Sequence, residues 1–173
     1  FTMTFDAVPG DPCLGLVPEN DLKENAIPMP LSGQVTGTNF CAGSEATFGD
    51  DCSTAFFTGG GPDVFYSLEL TESTTVILST CASDYDTDLS IHDADGNILV
   101  CDGDSADGAA CTQYTSAITA TLDAGNYLVR LGGYNGETGN FVLDSSTCSP
   151  SVYNVSSAAE VTDLLATIDA CGA

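Results

Sequence analysis

What most restricts this chain is an apolar–polar alternation of period two, which recurs in short runs separated by turn-forming residues. Such an alternation puts one set of side chains on one face of a strand, whereas a helix would need apolar residues three and four apart. Val64, Tyr66, Leu68 and Leu70 alternate with polar or outward residues, and Thr74 to Thr80 is β-branched and rich in apolar residues. Leu89 and Ile91 lead into Asp95-Gly96, and Ile98 to Val100 follow, which predicts a tight hairpin. Ile118, Ala120 and Leu122 alternate again; Tyr127, Val129 and Leu131 are expected to pair with Phe141 and Leu143 across the Asn135-Gly136 turn. Short strands with turn signals at this spacing predict an all-β, antiparallel, jelly-roll-like β-sandwich, not a parallel sheet.

The two ends read differently. Phe1, Met3 and Phe5 alternate with Thr, as in a further strand with one apolar face. Pro9, Pro12, Pro18, Pro28 and Pro30 make an extended, irregular connection of the segment after it. Ser157-Ala158-Ala159-Glu160 has the pattern of a capping box, and Val161, Leu164, Leu165 and Ile168 follow at helical spacing. The expected organisation is an N-terminal strand and Pro-rich arm over 1–30, a sandwich over 31–149, and a short C-terminal amphipathic helix within 150–173. The helix stripe packs either on its own sandwich or on a neighbour. The first strand either completes its own sheet or adds to another subunit's.

The eight cysteines form an even set with no Cys-x-x-Cys pair, which favours disulfides in an oxidising compartment over a zinc or redox motif. Cys41–Cys52 and Cys101–Cys111 would each close a short polar loop, contributing about 3 kcal/mol apiece. The four remaining cysteines then suggest Cys13–Cys148 and Cys81–Cys171. With no initiator Met and no signal-like segment at Phe1, the chain reads as a mature extracellular protein whose export signal has been removed.

Charge excludes partners. Lys23 and Arg130 stand against 25 acids, for a formal charge of −23, so a nucleic-acid backbone and an anionic membrane surface are both repelled. No apolar run approaches the length of a bilayer-spanning helix, and membrane insertion is not expected.

Three longer stretches carry a family likeness: Gly61-Pro62-Asp63-Val64-Phe65-Tyr66-Ser67-Leu68, Leu78-Ser79-Thr80-Cys81 and Asp84-Tyr85-Asp86-Thr87-Asp88-Leu89. With Asp93-Ala94-Asp95-Gly96-Asn97, Gly132-Gly133-Tyr134-Asn135-Gly136 and Thr138-Gly139-Asn140-Phe141 they form an ordered series. That series resembles the pre-peptidase C-terminal (PPC-like) domains; upstream, Asn25-Ala26-Ile27-Pro28 and Gly37-Thr38-Asn39 look like the family's opening strand and loop. The resemblance covers roughly residues 20–148. It implies a secreted jelly-roll-like sandwich that accompanies an enzyme or adhesin without being catalytic. Several such domains bind extracellular polymers and some bind calcium. Asn20, Asp21 and Asp63 are a possible second cation site on this analogy alone.

Asp84, Asp86, Asp88, Asp93, Asp95, Asp102, Asp104 and Asp107 crowd into a short stretch. Loops at one end of a sandwich would gather them, and the mutual repulsion of their carboxylates would be relieved by Ca2+, a hard cation taking six to eight oxygen ligands. As solvated turn formers the same residues need no ion. Catalysis has little to work with: His92 is the only histidine and is expected to face solvent or a carboxylate. Arg130, opposite Val129 and Leu131 on its strand, is expected to anchor a carboxylate by bidentate pairing. There is no Trp, and only Tyr85, Tyr114, Tyr134 and Tyr153 look placed for sugar stacking. Asn154 heads a glycosylation sequon. Two functions follow from these features. One is a non-catalytic structural protein of the cell surface or matrix, self-assembling with copies of itself or another surface protein through Phe1–Phe5 and the Val161, Leu164, Leu165 and Ile168 stripe. The other is a calcium-dependent binding module for an extracellular polysaccharide or protein polymer. The two unexplained ends lean the expectation towards assembly.

Overall fold

The computed structural model describes residues 12–45, 61–106, 111 and 114–148. The readings at Phe1, Met3 and Phe5, at Asp107, at Tyr153 and Asn154, and over 157–170 lie outside these residues, as do Cys52 and Cys171.

The period-two runs become strands β1 (Ile27–Pro28), β2 (Gly33–Thr38), β3 (Val64–Leu70), β4 (Thr74–Ser79), β5 (Thr87–His92), β6 (Ile98–Asp102), β7 (Ala117–Leu122), β8 (Gly125–Gly133) and β9 (Asn140–Cys148). They form two sheets, of order β1-β3-β8-β5-β6 and β2-β9-β4-β7. From β2 to β9 this is the jelly-roll order: each connection crosses to the other sheet, and only β5–β6 is a hairpin within a sheet. β1 is an addition, lying parallel to β3 at the edge of the five-stranded sheet, while the other pairs are antiparallel.

Alternation works because each strand buries one face against the opposite sheet. Val64, Tyr66, Leu68 and Leu70 of β3 meet Val76, Leu78, Ile118, Phe141 and Leu143 of the other sheet, with Leu89, Ile91, Val129 and Leu131 beside them. Burying each such side chain fully contributes about 1.5–3 kcal/mol. Phe141 stands edge-on to Tyr66, with ring centroids 6.3 Å apart. It fits because β2 passes over it at Gly37, where a Cβ would come within 2.6 Å of the ring.

The expected β8–β9 hairpin does not form. Tyr127, Val129 and Leu131 pair with Leu68, Tyr66 and Val64, whereas Phe141 and Leu143 pair with Gly37 and Val35. Asn135 and Gly136, both at positive φ, instead sit in a corner that carries the chain between sheets. In a sandwich both partners face the core whichever sheet holds them, so local alternation does not distinguish a hairpin from a crossover.

The disulfides differ too. Cys13 pairs with Cys41 and Cys81 with Cys111, which overturns Cys41–Cys52, Cys101–Cys111, Cys13–Cys148 and Cys81–Cys171 alike. The crossovers explain why. They bring the β4–β5 loop beside the β6–β7 loop and lay the N-terminal arm along the β2–β3 loop, so cysteines distant in sequence meet. Cys101, by contrast, is held in β6 opposite Ser90. Cys101 and Cys148 are also disulfide-bonded.

Candidate functional site

The strand directions gather the connections 39–63, 80–86, 103–116 and 134–139 at one end of the sandwich. Both described disulfides join residues there. Beneath these loops lies a hydroxyl network on Thr80, Thr87 and Ser116, all fully buried. The Thr80 and Thr87 hydroxyls are 2.6 Å apart, and the Ser116 N–H donates to both oxygens, at 2.8 and 3.0 Å. Buried polar groups must be paired, so these bonds fix the β4–β5 and β6–β7 loops to each other. The Asp102 carboxylate accepts from the N–H groups of Ser105 and Ala117, each at 2.9 Å, and closes the turn after β6. Asp84 accepts from the Asn140 N–H at 2.7 Å and its side-chain amide at 2.9 Å, tying its loop to β9.

On this frame Asp86, Asp104, Tyr114 and Tyr134 line an open cleft of about 550 Å³. Asp86 is held by its backbone: its N–H donates to Glu137 Oε2 at 3.3 Å and its carbonyl accepts from the Tyr134 N–H at 3.0 Å. The carboxylate itself is less well served, for Oδ1 is buried without a hydrogen-bond partner. Burial pushes the Asp86 carboxyl up to about 6, helped by the negative charges of Asp104, Glu137 and Asp88. Asp104 is raised as well, by burial and by Asp102. Tyr114 is exposed and adopts a left-handed backbone, φ 66°, uncommon for an aromatic residue.

The aspartates do not converge as the sequence suggested. Asp86 and Asp104 share the cleft; Asp84 and Asp102 are engaged by backbone amides; Asp88 is buried on β5. Asp93 and Asp95 sit in the β5–β6 turn at the opposite end of the sandwich. There Asp93 accepts from the N–H groups of Asp95 and Asn97 and from the Asn97 amide, bonds that hold its carboxyl below the ordinary range. Among the described residues no group of three His, Cys, Asp or Glu side chains is arranged to hold a metal ion. Asn20 donates to the Phe65 carbonyl at 2.9 Å, Asp21 accepts from the Gly43 N–H, and Asp63 belongs to an ion pair.

That ion pair bears out the structural role expected of Arg130. Its Nε donates to Asp63 Oδ2 at 2.5 Å, with both side chains buried. The pairing is not bidentate: Asp63 Oδ1 has no hydrogen-bond partner. Burial pushes the Asp63 carboxyl up, and the guanidinium opposes the shift.

His92 corrects the sequence expectation most sharply. It is fully buried, because β5 is covered on both faces rather than solvated on one. Nε2 lies 2.8 Å from Ser90 Oγ and Nδ1 3.3 Å from the Gly96 carbonyl. A carbonyl only accepts, so Nδ1 carries the proton and Nε2 accepts from the Ser90 hydroxyl. Burial lowers its pKa to about 4, and Arg130 adds to the lowering. Ser90 and His92 have the atoms of a nucleophile and its base, but both are 0 % exposed and no substrate reaches them. Tyr85, expected at the surface, is buried, and burial raises its hydroxyl well above the usual range.

No protein-family model matches the sequence, and no curated protein matches it. Among solved structures, the fold is similar to the pre-peptidase C-terminal domain of collagenase from Bacillus anthracis, at 13 % identity and a TM-score of 0.46 over 70 % of this chain and 94 % of that one. It is also similar to CBM35 from Cellvibrio japonicus Abf62, at 21 % identity and a TM-score of 0.34 over 62 % of this chain and 96 % of that one.

Proposed function

We propose that the chain is a non-catalytic extracellular module that binds an extracellular polymer through the loop end of its sandwich. The observation that carries this reading is the cleft of Asp86, Asp104, Tyr114 and Tyr134, where carboxylates and aromatic side chains line one open surface among the described residues. Disulfides at that end suit an oxidising compartment. The burial of His92 and Ser90 argues against hydrolysis by that pair. Calcium belongs to the proposal as an ion drawn to the acidic loop end, where Asp104 and Glu137 add negative charge at Asp86; no three described carboxylates converge on one point, so oxygens of the ligand or of water would have to complete its shell. Binding is tested by retention on immobilised extracellular polysaccharides and matrix proteins, with Tyr114→Ala beside the native protein. Retention equal in both would remove the cleft from the function. A melting curve unmoved by excess chelator would remove calcium.

Self-assembly is the second reading, and one observation favours it. β2 is exposed along most of its length at the edge of its sheet, a template for a strand added from another molecule. Sedimentation over a wide concentration range is the test. A monomer throughout would dispose of the filament or layer.

A further inference from the structure

We infer that copies of this chain join head to tail through their four-stranded sheets, the β2 edge of one pairing antiparallel with the β7 edge of the next. This rests on the strand-addition reading of β2 given above, and it names the partner edge.

The first observation is where charge is missing. With a formal charge of −23, two copies repel each other. Yet no Asp, Glu, Lys or Arg occurs from Asn25 to Ser44, around β2, or from Gly108 to Leu122, where β7 ends. Sheet edges are ordinarily blunted by charge, proline or a bulge. The five-stranded sheet is guarded in this way, with Pro28 in β1 and Asp102 in β6. The two edges of the four-stranded sheet are not: β2 and β7 are each six residues long and hold neither proline nor charge.

The second observation is the direction of the edge backbone groups. The Asn39 N–H turns inward to the Gly139 carbonyl at 3.3 Å. N–H groups alternate along a strand, so those of Gln34, Thr36 and Thr38 point away from β9. On β7 the Ala117 N–H leaves the sheet for the Asp102 carboxylate at 2.9 Å, so those of Thr119 and Thr121 point away from β4. Among the described residues no strand lies beyond either edge. The side chains of these positions are uncharged and suited to cross-strand pairing, as Thr75 and Thr121 already show across β4 and β7, with hydroxyls 2.9 Å apart.

The third observation is strand direction. β2, β9, β4 and β7 alternate, so β7 runs opposite to β2. A second copy set alongside in the same orientation therefore presents β7 antiparallel to β2. Two-fold pairing of β2 with β2 would also be antiparallel, but it would set a strand containing Gly33 and Gly37 against itself and leave β7 bare. β7 offers Ile118, Thr119 and Thr121, residues that favour strands where glycine does not. Each joined pair keeps one edge of each kind free, a contact that builds a filament unless the rotation between copies closes a ring.

The test follows the full chain by sedimentation velocity and electron microscopy over a wide concentration range at low and high salt, beside Thr36→Pro and Thr119→Pro. Proline there removes an N–H that the single molecule does not use, so both variants should melt as one cooperative unit. Thr36→Glu and Thr119→Glu keep the N–H, place a charge on the same edges, and stand in if either proline variant fails to fold. The native chain should assemble, more readily at high salt, which screens the repulsion. Each variant alone should need about tenfold more protein to associate. Mixed in equal amounts, the two should form dimers and nothing longer, since each supplies the edge that the other lacks. Association of Thr119→Pro like the native chain, or a mixture that stays monomeric, overturns β7 as the partner and leaves strand addition at β2 standing. A native chain that is monomeric throughout, or association unaffected by Thr36→Pro, overturns the proposal together with the reading beneath it.

Discussion

His92 should make the fold acid-sensitive in a way that one substitution isolates. Its folded pKa of about 4 lies below the 6.5 of an unhindered histidine. The unfolded chain therefore takes up this proton as pH falls through 6.5, while the folded chain resists until about 4. Stability from this group is complete above 6.5 and is lost progressively on the way down to 4. At 1.36 kcal/mol per pH unit the loss is about 2 kcal/mol at pH 5 and about 3 kcal/mol at pH 4. In His92→Asn, the amide nitrogen can keep the bond to the Gly96 carbonyl, and nothing titrates. The variant should be less stable than the native protein at pH 7.5 by about 1–3 kcal/mol, since the hydrogen bond to Ser90 goes and a gap opens. That deficit should then shrink by about 3 kcal/mol between pH 7.5 and pH 4, because every other titrating group is common to both proteins. Urea denaturation with disulfides intact at pH 7.5, 6, 5 and 4 measures it. A deficit that stays constant across this range would show that His92 titrates normally, and would refute the buried neutral tautomer.

Three further outcomes follow from the geometry. Arg130→Met leaves the Asp63 carboxylate buried and uncompensated, and should cost about 3–5 kcal/mol; adding Asp63→Asn should recover part of that loss, and a double variant no better than the single would contradict the pairing. Replacing Cys81 and Cys111 by Ala opens a link between residues 30 apart and should lower stability by about 3–4 kcal/mol, read as a lower urea midpoint. Asp86 has the opposite pH dependence from His92: its carboxyl, raised to about 6, is an ionisation penalty present in full above that pH and relieved as pH falls towards 3.8. Asp86→Asn should therefore stabilise the protein at pH 7.5 by about 1 kcal/mol, a figure reduced for solvent screening, and should be neutral near pH 3.8.

The sandwich was legible because alternation is a direct record of which face is buried. β3, β4, β5, β7, β8 and β9 fall on the runs that predict them, and the β5–β6 hairpin falls on Asp95-Gly96. Pairing was not legible beyond that hairpin, since in a jelly roll the sequence neighbours lie in opposite sheets. The disulfides failed for the same reason, because short loops look closable only while their flanking strands are assumed adjacent. His92 failed because alternation labels the second face polar without saying whether that face is wet. Ser90, His92 and Arg130 are polar and buried together, and nothing in their spacing marks it. Of the cleft, Asp86, Asp104, Tyr114 and Tyr134 were each visible as candidates, but their meeting depends on two loops held together by Thr80, Thr87 and Ser116, hydroxyl residues that read as ordinary strand ends.

The jelly-roll order also decides which end of the molecule can carry a ligand. At one end the chain turns over 71–73, 93–97 and 123–124, connections too short to do more than reverse direction. At the other end, all four connections pass between sheets, and two of them span 39–63 and 103–116. Loops that long would leave conformational entropy unspent and buried amides unpaired unless something held them. Here that hold is visible: Cys13–Cys41 on one loop, Cys81–Cys111 across two others, Asp102 and Asp84 on backbone amides, and the three buried hydroxyls below. Carboxylates used in this way are lost to any ligand. Asp86 and Asp104 are not so used, and their charge stands against a rigid floor where it is costly and unrelieved. Among the described acids of the loop end, Asp84 and Asp102 are thus consumed in building it, while Asp86 and Asp104 are left over on its surface.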